Sequence, residues 1–148
     1  MSYNPLDDLD VMALTLLGEA RGESIIGQHA VAHVIFNRYK NPRWWSRNAG
    51  DNVPDDTIAA VCLDPFQFSC WYRNDPNYSK LIAESTKQLQ IFAQLREVCR
   101  QVLTGVVPDP TKGCDHYCTT KIAKFTKWAK GRKPVAVIGN HSFFKIEL

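Results

Sequence analysis

Leu9, Met12, Ala13, Leu16 and Ala20 recur at three- and four-residue spacing. This stripe constrains the fold most, because it gives one apolar face to a helix running from about Leu6 to Ala20. Arg21-Gly22 follows as a stop signal, with Gly22 able to take a left-handed conformation. Glu19 then falls in the last turn of that helix or just past it. Ile26, Ala30, Val31, Val34 and Ile35 predict a second helix over Ser24 to Tyr39, with Ser24 as N-cap. Asn41-Pro42 ends it, since a residue before proline avoids the helical region. Residues 41–56 read as irregular, punctuated by Pro42, Gly50 and Pro54. Asp55 or Asp56 can cap a short helix over Thr57 to Cys62, which Asp64-Pro65 breaks. Leu89, Phe92, Leu95, Cys99 and Val102 predict the inner face of a longer helix from Ser85 to Leu103, closed by Gly105.

The last third changes character. His116–Thr119 reads as a short strand, and a small helix or turn carries Phe125 and Trp128. Pro134–Ile138, a Gly139-Asn140 turn and His141–Phe144 predict a small antiparallel sheet. The expected class is therefore α+β, predominantly helical, with a small antiparallel sheet near the C-terminus. At 148 residues and 45% apolar content, residues 1–148 are expected to form a single domain with its own core.

The formal charge of +3 suits an anionic partner without choosing one. No apolar run approaches the ~20 residues of a membrane-spanning helix, so no stable membrane insertion is expected. MSYNPLDDLD has neither the basic nor the apolar part of an export leader. Synthesis in a bacterial cytoplasm without a signal peptide is the corresponding expectation. The five cysteines, Cys62, Cys70, Cys99, Cys114 and Cys118, are an odd set that argues against a disulfide framework.

Gly18-Glu19-Ala20-Arg21-Gly22-Glu23 puts two carboxylates at the end of an apolar helix. Cleaving a glycosidic bond requires a carboxylic acid that protonates the departing oxygen, and an apolar setting keeps such an acid protonated near neutral pH. Glu19, following Leu16 and Leu17, has that setting, although a surface carboxylate at a helix end has the same local sequence. Glu23, past the glycine, reads as solvated, and Arg21 as a group that pins a carboxylate or positions the loop.

The run Leu17–Glu23, with Gly27-Gln28, Ala30-Val31-Ala32 and Asn37-Arg38, resembles the start of the SleB-type cell wall hydrolase domain. Gln67-Phe68-Ser69 resembles that family's central motif. Tyr117, Trp128 and Ile138–Phe144 resemble its closing motifs, so the blocks follow the family's order over nearly the whole chain. Leu17 stands where an aromatic often precedes the first block, and Asn41–Asp51, with Trp44-Trp45, is longer and more aromatic than the family pattern. The resemblance implies a lysozyme-like fold and Glu19 as the single catalytic acid/base. It also implies a peptidoglycan glycan strand as substrate, cut at the β-1,4 bond between N-acetylmuramic acid and N-acetylglucosamine. In lytic transglycosylation the sugar's own 6-hydroxyl attacks, so one carboxyl group serves twice. A hydrolase would usually want a second carboxylate. Glu23, Asp64 and Asp115 are the candidates for it, and none stands out.

For substrate binding, Gln67, Ser69 and Tyr117 can hydrogen-bond sugar hydroxyl and acetamido groups. Phe68 and Tyr72 offer flat faces to sugar rings, with core packing the open alternative for Phe68. Trp128 and His141 are expected to hold the sheet against the helices. No cofactor and no metal are expected. His29 and His33 lack the glutamate of the zinc-protease motif, and Cys114, His116 and Cys118 match no standard zinc spacing. A metal enzyme, a muramidase, an amidase and a non-catalytic wall-binding module are the rival readings. Nucleic-acid binding is not expected, since the basic run Lys121–Lys133 carries no recognised motif. The biological setting expected is a phage endolysin, monomeric, that acts on the wall and depends on a holin to reach it.

Overall fold

The computed structural model describes residues 8–42, 57–63, 68–76, 78–83, 86 and 89–146; the side chain of Ser69 is outside this description. Trp44, Trp45, Asp64, Pro65, Gln67 and Ser85 lie outside it too, with whatever was expected of them.

Helix α1 (Asp8–Ala20) is buried on every side through its middle: Val11, Met12, Ala13 and Leu16 have no exposed surface. A helix that is apolar all round sits inside a domain rather than on it. The other helices pack about α1. They are α2 (Ile25–Lys40), α3 (Ile58–Leu63), α4 (Tyr78–Ile82) and α5 (Gln90–Leu103). Polar groups at the start of α1 tie down two neighbours. Asp8 Oδ1 accepts from the Ala59 amide at 3.0 Å, and Asp10 Oδ1 accepts from Arg96 Nε at 2.9 Å.

Ser24 caps α2 as expected, its hydroxyl accepting from Gly27 N at 3.2 Å. Ala30, Val31, Val34 and Ile35 are buried, but Ile26, in the first turn of α2, is 57% exposed. The other end of α2 is pinned by polar side chains. Asn37 Nδ2 donates to Asp109 Oδ2 and to the Cys114 carbonyl, both at 2.9 Å, and Arg38 Nε donates to the Asp115 carbonyl.

Helix α5 starts later than the periodicity predicts. Leu89 occupies the N-cap position without a side-chain cap and is 48% exposed, so it does not belong to the inner face. The Thr86 hydroxyl donates back to the Lys80 carbonyl instead of starting the helix. At its end, Gly105 takes φ +76°, Gly105 N bonds Val102 O and Val106 N bonds Gln101 O, which is a Schellman closure.

The sheet is antiparallel with order β1–β3–β2, from β1 (His116–Thr119), β2 (Ala136–Ile138) and β3 (His141–Phe144). Tyr117 pairs with Phe143 and Cys118 with Ser142. Directly paired residues share a face and successive ones alternate. One face therefore carries Tyr117, His141 and Phe143 toward the helical core. The other carries Cys118 and Phe144 into a second small cluster with Trp128, Ala129 and Ile146. Trp128 stacks edge-on to Phe144 at 5.4 Å and lies 4.8 Å from His116. It thus holds the 120–133 segment on the outer face of the sheet, not the sheet against the helices.

Candidate active site

Glu19 lies half-buried in the last turn of α1. Around it come a 3-10 turn (Ser69–Trp71), the residue after it, Tyr72, and the inner face of β1. Burial pushes the Tyr117 hydroxyl well above the usual phenol range, and the charge of Glu19 is the next cause. The same two causes, in the same order, raise Tyr72 and the Cys70 thiol. Groups that all feel one carboxylate in a poorly solvated setting lie within electrostatic reach of it. Tyr117 also packs edge-on to His141 at 5.2 Å and against Phe143 at 5.8 Å.

The end of α1 is positioned by close packing and by three tethers. A Cβ on Gly18 would stand 2.4 Å from Cys70 Cβ and 2.8 Å from its sulfur, so only glycine lets the 3-10 turn approach. The first tether is Trp71 Nε1, which donates to Thr15 Oγ1 at 2.9 Å and fixes the turn to α1 one helical turn earlier. The second is Gln28 Nε2, which reaches back from α2 to the carbonyls of Ala20 and Glu23 at 3.4 and 3.3 Å, closing the connection after Glu19. The third is Glu23.

Glu23 is not solvated. Its side chain is 10% exposed, and Oε1 accepts from His141 Nδ1 at 3.0 Å. Asn140 adds its backbone N–H at 3.4 Å and Nδ2 at 3.5 Å. Gly139, at φ +58°, leaves the space the carboxylate fills, since a Cβ there would meet Glu23 Oε1 at 2.9 Å. His141 thus joins the sheet to the helices, as expected, but through a carboxylate assigned no such role by the sequence. Gly22 does not use the left-handed region. The turn closes through Glu23 N to Ala20 O at 3.0 Å without it.

Of the residues expected at the site, Glu19, Tyr72 and Tyr117 come together. Phe68 does not offer a sugar face. It is 1% exposed, and the Arg38 guanidinium lies 5.3 Å over its ring. Gln67 and the Ser69 side chain are outside the described residues. Arg21 is exposed and lines, with Leu17, a hollow of about 460 Å³ against α4. Leu17 is two residues from Glu19 on α1, hence ~160° around the helix from it, so this hollow opens away from Glu19. The histidines singled out as possible metal ligands have other surroundings. His29 Nε2 hydrogen-bonds Gln101 Oε1 at 2.8 Å, and His33 is buried, which lowers its pKa. His116 Nδ1 bonds Asp115 Oδ1 at 2.8 Å. Among the described residues no three His, Cys, Asp or Glu side chains converge as a metal site. Nothing local in the sequence signals Gly18 against Cys70, the Glu23 clasp, or Asp75, whose charge also reaches Cys70.

Residues 22–144 match the family model described as Cell Wall Hydrolase. The spore cortex-lytic enzyme of Halalkalibacterium halodurans is 28% identical over 139 residues, 93% of this chain and 34% of that protein. That of Bacillus subtilis is 27% identical over 139 residues, 93% of this chain and 37% of that protein. The chain therefore spans little more than a third of these relatives. Among solved structures, the catalytic domain of the germination-specific lytic transglycosylase SleB from Bacillus anthracis superposes with a TM-score of 0.67 at 25% identity, covering 97% of this chain and 100% of that one. The catalytic domain of the Bacillus cereus SleB protein gives 0.68 at 25% identity, over 97% of this chain and 94% of that one. The mostly helical fold with a three-stranded antiparallel sheet is thus the fold of these catalytic domains.

Proposed function

The chain belongs to the Cell Wall Hydrolase family, and on that premise we propose that residues 1–148 form one catalytic domain, a lytic transglycosylase that cuts peptidoglycan between N-acetylmuramic acid and N-acetylglucosamine. The observation that carries this reading is the placement of Glu19: one half-buried carboxylate whose charge bears on two phenols and a thiol. A poorly solvated carboxyl group is the kind that holds a proton for a leaving oxygen. In the proposed cycle Glu19 protonates the glycosidic oxygen and the bond to the anomeric carbon breaks. The muramic 6-hydroxyl then attacks that carbon and gives its proton to the Glu19 carboxylate, which regenerates the acid and leaves a 1,6-anhydro end. Tyr117 and Tyr72 border the site and supply hydroxyls for the bound sugars.

Two of the candidates for a second carboxylate are engaged elsewhere, which favours this chemistry over hydrolysis. Glu23 is held by His141 and Asn140. Asp115 is buried, accepting from Ile146 N at 2.9 Å and bonded to His116. Neither is placed to activate water beside a sugar, as a two-carboxylate glycosidase requires.

Glu19→Gln keeps the shape and removes the proton; turnover of purified sacculi should fall by about 10²–10⁴-fold without a change in Tm. Mass spectrometry of the wild-type digest should show anhydromuramic ends. Reducing muramic ends would indicate a muramidase, free peptide stems an amidase, and full activity in a folded Glu19→Gln protein would remove Glu19 from the mechanism. Action as a monomer in host lysis, on enzyme made in the cytoplasm and passed to the wall through a holin, is part of the same proposal. Lysis by the cytoplasmic enzyme without a holin counts against it.

A further inference from the structure

Charge is distributed unevenly along the chain. Residues 116–146 hold seven of the eighteen Lys and Arg and none of the fifteen Asp and Glu, so this segment is +7 while the remainder, with eleven cations against fifteen carboxylates, is −4. Six of the seven lie between Lys121 and Lys133, all exposed. This stretch is held on the outer face of the sheet by Trp128 and Ala129, opposite the face that carries Tyr117 toward Glu19.

Its first part is a 3-10 helix, Thr120–Phe125. In that geometry residues three apart eclipse one another. Ile122 and Phe125 therefore form one ridge, and Lys121 and Lys124 another beside it. The apolar ridge is open to solvent: Phe125 is 76% exposed and Ile122 50%. Lys124 Nζ stands 5.1 Å from the Phe125 ring centre. Behind the cationic ridge is a hollow of about 410 Å³ lined by Thr120, Lys121, Lys124 and Arg132 among others.

We propose that this outer face docks the enzyme on an anionic phospholipid surface, with a headgroup phosphate in the Lys121–Lys124–Arg132 hollow and the Ile122–Phe125 ridge dipping into the headgroup–acyl boundary. Charge complementarity selects an anionic partner, since no carboxylate in the segment offsets its cations. The apolar ridge selects a lipid surface over a purely polyanionic wall polymer, because exposed aromatic and aliphatic side chains flanked by lysines are what an interfacial site presents. Binding is peripheral: no helix among the described residues is long and apolar enough to cross a membrane. Docking by this face leaves the Glu19 face of the sheet turned away from the bilayer, and the proposal does not depend on what Glu19 catalyses.

The test is flotation of the full chain with vesicles of phosphatidylethanolamine and phosphatidylglycerol, against vesicles of phosphatidylcholine alone, at low and at physiological salt. The expected result is partition into the anionic vesicles only, weakened by salt. Each lysine removed should lower partition about fivefold, so Lys121→Gln with Lys124→Gln together should lower it on the order of 25-fold. Phe125→Ser should lower it further at unchanged charge, with melting temperature and cleavage of soluble glycan substrate as in the wild type. Equal partition of the wild-type protein into anionic and neutral vesicles, or none into either, overturns the proposal without recourse to any variant. So does a lysine pair whose loss impairs binding to lipid-free sacculi and leaves vesicle binding intact, which would assign the surface to wall-polymer carboxylates.

Discussion

Gly139→Ala tests whether the loop after Glu19 is held by the sheet. Alanine at φ +58° costs about 1–2 kcal/mol in backbone strain alone. Its Cβ would also stand 2.9 Å from Glu23 Oε1, closer than the two atoms can rest. The turn must keep its hairpin register, so the carboxylate has to withdraw. The contact to Asn140 N, already 3.4 Å, is then lost, and the 3.0 Å bond from His141 is lengthened. A hydrogen bond to a charged group contributes about 1.5–3 kcal/mol. The combined cost is about 3 kcal/mol, a fall in Tm on the order of 5–10 °C for a domain of this size. Thermal unfolding followed by circular dichroism measures it, and a double-mutant cycle with Glu23→Ala separates the two parts. Once Glu23 is truncated, only the backbone strain should remain. An identical cost for Gly139→Ala with and without the Glu23 carboxylate would refute the clasp.

Gly18→Ala sets two effects against each other: helix propensity favours alanine by about 1 kcal/mol, while a Cβ 2.4 Å from Cys70 Cβ overpacks by about 1–3 kcal/mol or more, since neither atom can rotate away. A net loss of stability, relieved by Cys70→Gly in chemical denaturation, is the expected outcome. Tyr117 and Tyr72 are raised by burial and then by the Glu19 charge, so ultraviolet titration should show both ionising above the ordinary phenol range, and Glu19→Gln should bring both down. Their raised values in the folded state mean that the stability they contribute is present below about pH 10 and is lost as pH rises above it. Burial alone would raise Asp109, but the bonds it accepts from Asn37, Thr111 and Gly113 prevail and hold it below its ordinary value of 3.8. Its contribution is therefore present above about pH 4 and lost as pH falls through the lower folded value. Asp109→Asn should cost about 2–3 kcal/mol at neutral pH in denaturant unfolding and flatten that acid limb.

The elements the sequence made legible are those whose signal is local. The stripe from Leu9 to Ala20, the Ser24 cap and the Gly139-Asn140 turn each lie within a few residues of the structure they specify. Five-residue α4 is too short to display a helical period, and it was missed. The exposed Ile26 and Leu89 show the other limit: periodicity says that a residue is apolar, not that a neighbour covers it. At the site, Glu19 and Tyr117 are singled out by family motifs, and for Phe68 the core-packing alternative holds, because an aromatic near a motif reads the same whether its face is open or under an arginine. Glu23 could not be read locally, since its partners lie 117 and 118 residues away.

The residues beside Glu19 share a physical role that makes the block more than a chemical signature. Gly18 lacks a Cβ so that the 3-10 turn, and Tyr72 after it, can approach. Ala20 is 2% exposed, and its carbonyl accepts both from Glu23 N and from the Gln28 side chain, so the helix ends at a fixed angle. Glu23 then fastens that ending to the hairpin whose histidine packs against Tyr117. Two of the groups that feel the Glu19 charge are thereby located by contacts made from the residues on either side of it. A carboxyl group that must first give a proton to one oxygen and then take one from another needs both to lie within about 3 Å of it. In the proposed cycle, the contacts made by its neighbours serve that requirement. Substitutions at Gly18, Glu23 and Gly139 should therefore lower turnover at temperatures where the protein is still folded, in proportion to how far they loosen the end of α1.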